Sequence, residues 1–390
     1  MNISYWPAYL DVEALERVEE NKARFFSHIQ NDDRFAFLRQ DAKELALAGR
    51  NGKTWAGNAK TVYLIGLGGS RYGVEALFGG ERSFDSARLV CVDVLDELLC
   101  DEIKNHLEHD EPSDFVVVIV SKSGDTLETS VLADEIVFNA PFFSRIKERV
   151  LIETEKGSSL ANKAEGLGLR IEYVSSDVGG RFSVFTPATF FVLGALSLDT
   201  DIIAQRYSLA ESEFTCGELS PLIRAEVLMS KEFEKIYIHD IMAEAERFVP
   251  LSYWTRQLWA ESLGKVQSYT LLPTVSPLTR DCHSVLQMYF GSKPSRAVSF
   301  VVSEHDMDMS IGRASFAITE AVTQAHKDHA IPHFIHMLEV AGNGDTATYM
   351  YREMVSVLYT AWTKGIDPFG QPDIEEYKKH AKEIFNKNIN

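Results

Sequence analysis

Apolar positions along this chain change period near Thr61. Residues 11–49 repeat them at helical spacing among dense charge, which predicts an amphipathic helical lead-in. From Thr61 the runs shorten. "TVYLIG", "ARLVCVDV", "DFVVVIV", "RVLIETE" and "LRIEYVSS" are brief β-rich stretches separated by helical patterns. Near-continuous apolar strands alternating with helices predict a mainly parallel sheet covered on both faces. A second series starts near Lys231, with strand candidates "EKIYIHD", "QSYTLLP", "RAVSFVVSE" and "HAIPHFIHMLE". Helical patterns lie between them, including "SYWTRQLWAESLGK" and "CHSVLQMYFGS". The pattern predicts an α/β protein of two doubly wound domains with mainly parallel sheets. The expected divisions are a helical N-terminal segment over 1–57, domains over 58–200 and 201–345, and a C-terminal helical arm over 346–390 broken at "GIDPFGQPD".

Composition narrows the class. The 390 residues are 45% apolar and 25% charged, ordinary for a globular protein too long for one small core. The net charge of -18 argues against nucleic acid as a partner. It leaves room for a small anion, because a local site can oppose the global field. Four cysteines without a C-x-x-C pair make no disulfide framework, and the first residues lack a signal-peptide pattern, so a cytoplasmic location is expected. No apolar run reaches the length of a membrane span. The nearest, Phe185 to Leu198, is interrupted by Thr186, Pro187 and Thr189 and reads as a buried core helix.

Two strand-to-helix turns carry candidate chemistry. "YLIGLGGSRYG" places Gly66, Gly68, Gly69 and Ser70 after a strand, a geometry that offers backbone N–H groups to phosphate. The dinucleotide fingerprint competes. It wants glycine at its sixth position, where Arg71 stands, although Asp93 could mimic its ribose-binding acid. A plain tight turn is a third reading. "SKSGDT" follows the next apolar strand with the hydroxyls of Ser121, Ser123 and Thr126 and the charge of Lys122. Asp125 or Thr126 could instead serve only as a cap on the helix that follows. A single such loop leaves phosphate binding and capping about even.

Six segments together resemble the sugar isomerase (SIS) fold and, within it, the glucose-6-phosphate isomerase family. They are "IGLGGSRYG", "SKSGDTLET", "GGRFSV", "QLWAESLGK", "DCHSVLQ" and "GIDPFGQPDIEEYKK", in family order from residue 65 to 379. The resemblance implies that Gly69 and Ser70, with Ser121, Lys122, Ser123 and Thr126, hold a sugar phosphate. Arg181 then lies near the reacting carbons, and Gln257 and Gln371 contact substrate. On the same resemblance, Glu261 is expected to be the base, His283 to open the ring from the partner subunit of a homodimer, and Lys378 to complete the site. Neither metal nor cofactor is implied.

The chemistry fits those residue types. Aldose–ketose isomerisation passes one proton between neighbouring carbons through a cis-enediol(ate). A carboxylate in a partly dry pocket suits that task. Gln257 and Glu261, four apart, share a helix face. A guanidinium can stabilise the enediolate, and histidine titrates where ring opening needs help. Taken singly, each residue has a blander reading: a solvated helix face for Gln257, Glu261 and Lys378, a surface turn for Arg181, a core or cap histidine for His283. "HKDHAIPHFIH" invites a zinc reading, but Pro332 divides it into helix end, turn and strand. Cys282 is read as packing. Asp125 and Leu263 depart from the family pattern, and "SPLTRDCHS" lacks its glycine-rich run. The alternatives are isomerisation of another phosphosugar, or a non-catalytic SIS sensor of sugar phosphates.

Overall fold

The structure is a computed structural model that describes residues 2–6, 10–229, 236–265, 271–292, 295–339 and 342–389. In chain order the elements begin with β1 (Asn2–Trp6), α1 (Leu10–Asn31), α2 (Ala42–Ala56), β2 (Thr61–Ile65), α3 (Gly69–Glu81) and β3 (Arg88–Val92). Next come α4 (Glu97–His109), β4 (Phe115–Val120), α5 (Leu127–Ala133), α6 (Phe143–Ile146), β5 (Val150–Glu155), α7 (Ser159–Leu167), β6 (Arg170–Val174) and α8 (Pro187–Ala195). Then follow α9 (Thr200–Thr215), α10 (Ser220–Leu228), β7 (Ile238–Ala243), α11 (Val249–Leu263), β8 (Leu272–Pro277), α12 (Leu278–Asp281) and α13 (Leu286–Gly291). The last are β9 (Arg296–Ser303), α14 (Ser310–Asp328), β10 (His333–Leu338), α15 (Asp345–Lys364) and α16 (Glu375–Ile389). Among the described residues, no helix is long and apolar enough to cross a membrane.

The chain divides into two compact units, each discontinuous in sequence. One holds Gln40–Phe78, Arg82–Asp201 and Gly370–Asn390; the other holds Met1–Arg39, Gly79–Glu81 and Ile202–Phe369. The first contains a parallel sheet in the order β3-β2-β4-β5-β6. All six residues of its middle strand, "FVVVIV", are buried, as a strand covered on both faces requires. From β2 the chain moves outward to β3, and from β4 it moves the other way to β5. That reversal opens a crevice at the carboxyl ends of β2 and β4, the place where such sheets bind ligands. The expected core helix is α8, buried throughout from Ala188 to Ala195. It lies against α2 with no room for side chains: a Cβ on Gly194 would come within 1.8 Å of the Gly49 carbonyl oxygen.

The second unit carries the order β1-β10-β9-β7-β8. Strands β7 to β10 are parallel, while β1 joins β10 antiparallel. The lead-in is therefore not wholly helical. Five residues are too few to show a period of their own, and β1 draws its pairing from the open edge of β10. "EKIYIHD" and "QSYTLLP" fall partly on residues outside the description, 230–235 and 266–270. The strands there begin later, at Ile238 and Leu272. Pro273 sits in β8 because β8 is an edge strand. "HKDHAIPHFIH" divides as expected: α14 ends at Asp328, and β10 starts at His333.

A buried ionic cluster anchors the second unit. Arg224 Nη1 donates to Glu353 Oε2 at 2.9 Å, and Trp259 Nε1 donates to the same oxygen at 2.8 Å. Arg224 Nη2 also reaches Ser299 Oγ at 3.4 Å, which pairs with His239 Nε2 at 2.8 Å. Burial first, and then Arg224, push the His239 pKa down to about 3, so the ring stays neutral beside the cation. Removing one partner would strand the other charge in a dry interior. Glu353→Leu is expected to cost roughly 3–5 kcal/mol of folding stability in urea denaturation. The double substitution Arg224→Met with Glu353→Leu should cost less than Glu353→Leu alone.

Candidate active site

In the first unit, two backbones meet at the crevice. The turn after β2 reaches Gly68 with φ of 55°, and α3 begins at Gly69. A Cβ on Gly69 would lie 2.3 Å from the Gly180 carbonyl carbon, so only glycine lets this turn touch the "GGRFSV" segment. Ser70 follows in the first turn of α3. Arg71 donates to Glu75 Oε2 at 2.6 Å and pairs with Asp93. The acid that might have bound a ribose is thus held by the chain's own guanidinium, at the position where a dinucleotide fingerprint needs glycine.

The loop after β4 is cross-linked by its own hydroxyls. Ser121 is buried and donates to Thr126 Oγ1 at 3.2 Å. Ser123 Oγ accepts the Asp125 N–H at 3.2 Å, and Lys122 Nζ donates to the Ser176 carbonyl. Thr126 stands at the N-cap of α5, but its side chain makes no cap bond. Asp125 does not cap α5 either. Its Oδ1 accepts from Ser159 Oγ at 2.7 Å, at the first turn of α7. A carboxylate there meets the positive end of a helix dipole.

Arg181 is not a surface turn residue. It is 3% exposed, lies over the Phe182 ring, and donates through Nη2 to the Gly370 carbonyl at 3.3 Å. Gly370 begins the "GQPD" turn, whose Gln371 accepts from Lys378 Nζ at 3.3 Å. Glu375 holds the same amine at 2.8 Å. Tyr377 ties α16 to α5 through Glu128 at 3.1 Å. One unit thereby brings together the two glycine turns and Lys122, and joins Arg181 to the turn that holds Gln371 and Lys378.

In the second unit, α11 buries Trp254, Leu258, Trp259 and Leu263. On its other side Gln257 Nε2 donates to Glu261 Oε1 at 2.9 Å, both residues being half-buried. Leu263, where the family pattern has asparagine, is fully buried. Lys265 Nζ donates to the Asp367 carbonyl at 2.8 Å. His283 is exposed and stands in a turn between α12 and α13, outside the helix expected from "CHSVLQMYFGS". Asp281 accepts from Ser284 Oγ at 2.8 Å and helps fix that turn. Cys282 packs half-buried against the sheet's core, and burial above all pushes its thiol pKa up.

Two further polar groups at crevices have no motif. Glu153 near the end of β5 is buried beneath the first unit's turns. A glutamate inside the apolar "VLIETE" was its only signal. Glu244, just past β7, accepts from the Ser303 N–H at 2.8 Å and from Ser303 Oγ at 3.3 Å, and also pairs with His305 and Ser315. It fills the second unit's crevice between β7 and β9, where the chain again reverses direction.

No family model matches the chain. Curated relatives do. A glucose-6-phosphate isomerase from Mycoplasmoides gallisepticum is 27% identical over 356 residues, 82% of this chain and 81% of that protein. The one from Lactobacillus helveticus is 24% identical over 384 residues, 89% and 84% of the two chains. Among solved structures, a hypothetical protein from Thermus thermophilus matches with a TM-score of 0.80 at 23% identity, covering 98% of this chain and 100% of that one. A glucose-6-phosphate isomerase from Chlamydia trachomatis matches at 0.72 and 19% identity, over 90% and 74% of the chains. The structural likenesses show the fold. The family resemblance read from the motifs is borne out, as is the α/β class with two mainly parallel sheets.

Because Asp125 is engaged by α7, its charge is directed away from the hydroxyls of its own loop. Asp125→Ala should therefore weaken the tie between this loop and α7, read as a lower midpoint in urea denaturation. Stability should fall by about 0.5–1 kcal/mol for the lost helix-end contact.

Proposed function

We propose that this chain, an isomerase related to the glucose-6-phosphate isomerases, interconverts glucose 6-phosphate and fructose 6-phosphate through a cis-enediol(ate). The observation that carries the reading is the Gln257–Glu261 hydrogen bond on α11, at the place where "QLWAESLGK" resembles the family's catalytic segment. A carboxylate oriented by a neighbouring amide can take the proton from one carbon and return it to the next. In this mechanism Ser121, Lys122, Ser123 and Thr126 hold the phosphate with the backbone of Gly69 and Ser70. The Ser121–Thr126 hydrogen bond and the Asp125 N–H held by Ser123 pre-organise the loop, so little entropy is lost when a ligand arrives. Lys122 exchanges the Ser176 carbonyl for the phosphate.

Arg181 stabilises the developing enediolate, and its burial strengthens the effect because little water screens it. Gln257 and Gln371 position the sugar, and Lys378 adds a donor at its edge. His283 of the partner subunit opens the ring. Its exposed turn is suited to a role across an interface, so the working form is a homodimer in the cytoplasm. The proton transfer calls for no cofactor and no metal. Arg71 on Asp93 disfavours the dehydrogenase alternative, because the ribose acid is already paired.

A coupled assay with fructose 6-phosphate tests the reaction. Wild type should turn over, and Glu261→Gln should lose about 10²–10⁴-fold in kcat. Absence of wild-type turnover would overturn the substrate assignment, and an unimpaired variant would overturn the base. The shared site has its own test. Co-expressed Glu261→Gln and His283→Ala chains form mixed dimers with one intact site each. Roughly a quarter of wild-type activity should return under random pairing in a two-fold dimer. Activity no higher than that of the separate variants would exclude sharing.

A further inference from the structure

The first unit's crevice has a floor that the proposed mechanism does not use. Beneath the two turns lies a cavity of about 30 Å³, bounded by Ser70, Lys122, Gly180, Thr186, Thr189 and Glu153. A water needs roughly 10–15 Å³ of such space, so one or two fit. Glu153 is 3% exposed, and its Oε1 is buried without a hydrogen-bond partner. It belongs to β5, where it registers with Val120 on β4, the residue immediately before the Ser121 loop. Its backbone carbonyl accepts the Ser121 N–H at 3.0 Å. The residue is therefore joined to the loop through its main chain, and it lines the cavity beneath that loop.

A carboxylate oxygen in such a place should be paired or un-ionised, because a buried charge without a partner is costly. The surroundings favour the second. Burial, and after it the Glu172 carboxylate on β6, push the Glu153 pKa up to about 8. Glu172 registers beside Glu153 and is itself held by Arg170 at 3.0 Å. Lys122 is the one cation among the cavity's described lining residues, and its amine is turned to the Ser176 carbonyl. The start of α3, the segment after β6 and the start of α8 add hydroxyl, backbone and apolar groups to the lining, none of them titrating near neutrality. Neutral Glu153 is a hydrogen-bond donor. Ionised, it would be a second anion behind a phosphate loop.

We propose that Glu153 is a further ligand-binding residue of this site, donating its carboxyl O–H through the cavity, directly or by one water, to the bound phosphoryl group. The inference rests on the phosphate reading of the two turns. It assigns the site a preference for ligands whose anionic group brings acceptors only, and it makes binding depend on a proton held by the protein. The sign follows: the protonated form binds, so affinity is full below the Glu153 pKa and falls as pH rises through about 8.

Inorganic sulfate is the probe, since it stays fully ionised over the range. Calorimetric titrations from pH 6 to 10 should show wild-type affinity falling up to tenfold per pH unit above about 8, with uptake of about one proton on binding at pH 9. Glu153→Gln, which keeps shape and a donor, should bind like wild type at pH 6.5 and hold that affinity at pH 9. Equal pH profiles for the two proteins would overturn the role of Glu153, and so would wild-type binding without proton uptake. The uptake measurement stands even if the variant fails to fold. Sulfate that binds nowhere in the range would overturn the phosphate reading itself, separately from any result of the turnover assay.

Discussion

The ion pair between Arg224 and Glu353 holds α11 of the second unit in one orientation. Glu353 also accepts from Trp259, which lies midway between Gln257 and Glu261 on α11. A residue two positions away on a helix points to nearly the opposite side. Fixing Trp259 inward therefore directs Gln257 and Glu261 away from that core. The cluster costs desolvation on both charges, and its hydrogen bonds to Trp259 and Ser299 offset part of it. What it confers beyond stability is a single rotational setting of the helix, which apolar packing alone specifies less sharply.

The first unit achieves definition by another route, through absence of side chains. Gly69 against Gly180 and Gly49 against Gly194 let main chain approach main chain. At the crevice this leaves backbone N–H groups and helix ends as the surface a ligand meets. The hydroxyls of Ser121 and Thr126 then hold each other at a set distance. Fixed dipoles thus add to the charge of Lys122 at the crevice of a chain whose overall charge is strongly negative.

Much of this was legible in the sequence. The strand runs from "TVYLIG" to "LRIEYVSS" form the first sheet, because each is apolar, short and bounded by turn residues. The glycine turns were readable because a strand that meets glycines just before a helix has to turn tightly there. The antiparallel β1 was not legible, since its pairing is set by a β10 edge more than 300 residues away in sequence. The partner of Asp125 was misplaced for a related reason. A cap was sought in the next helix, whereas α7, one strand further on, supplies it. His283 was placed in a helix because its neighbours have helical spacing, and the Asp281–Ser284 contact gives a turn instead. Glu153 announced itself only as a charge in an apolar strand, and what surrounds it depends on segments far apart in sequence.

Both sheets reverse direction at their middle, and the two reversals have been treated differently. In the second unit, Glu244 occupies the crevice and draws in a backbone N–H, hydroxyls from Ser303 and Ser315, and His305. These are the kinds of donors that elsewhere receive an anion from solution. Here the anion is part of the covalent chain, present at an effective concentration no solute can match. The second cradle works as an internal fastener between the ends of β7, β9 and the start of α14. Two sheets of kindred topology thus differ at their reversals: one is closed by a carboxylate of its own chain, and the other is left open between two turns.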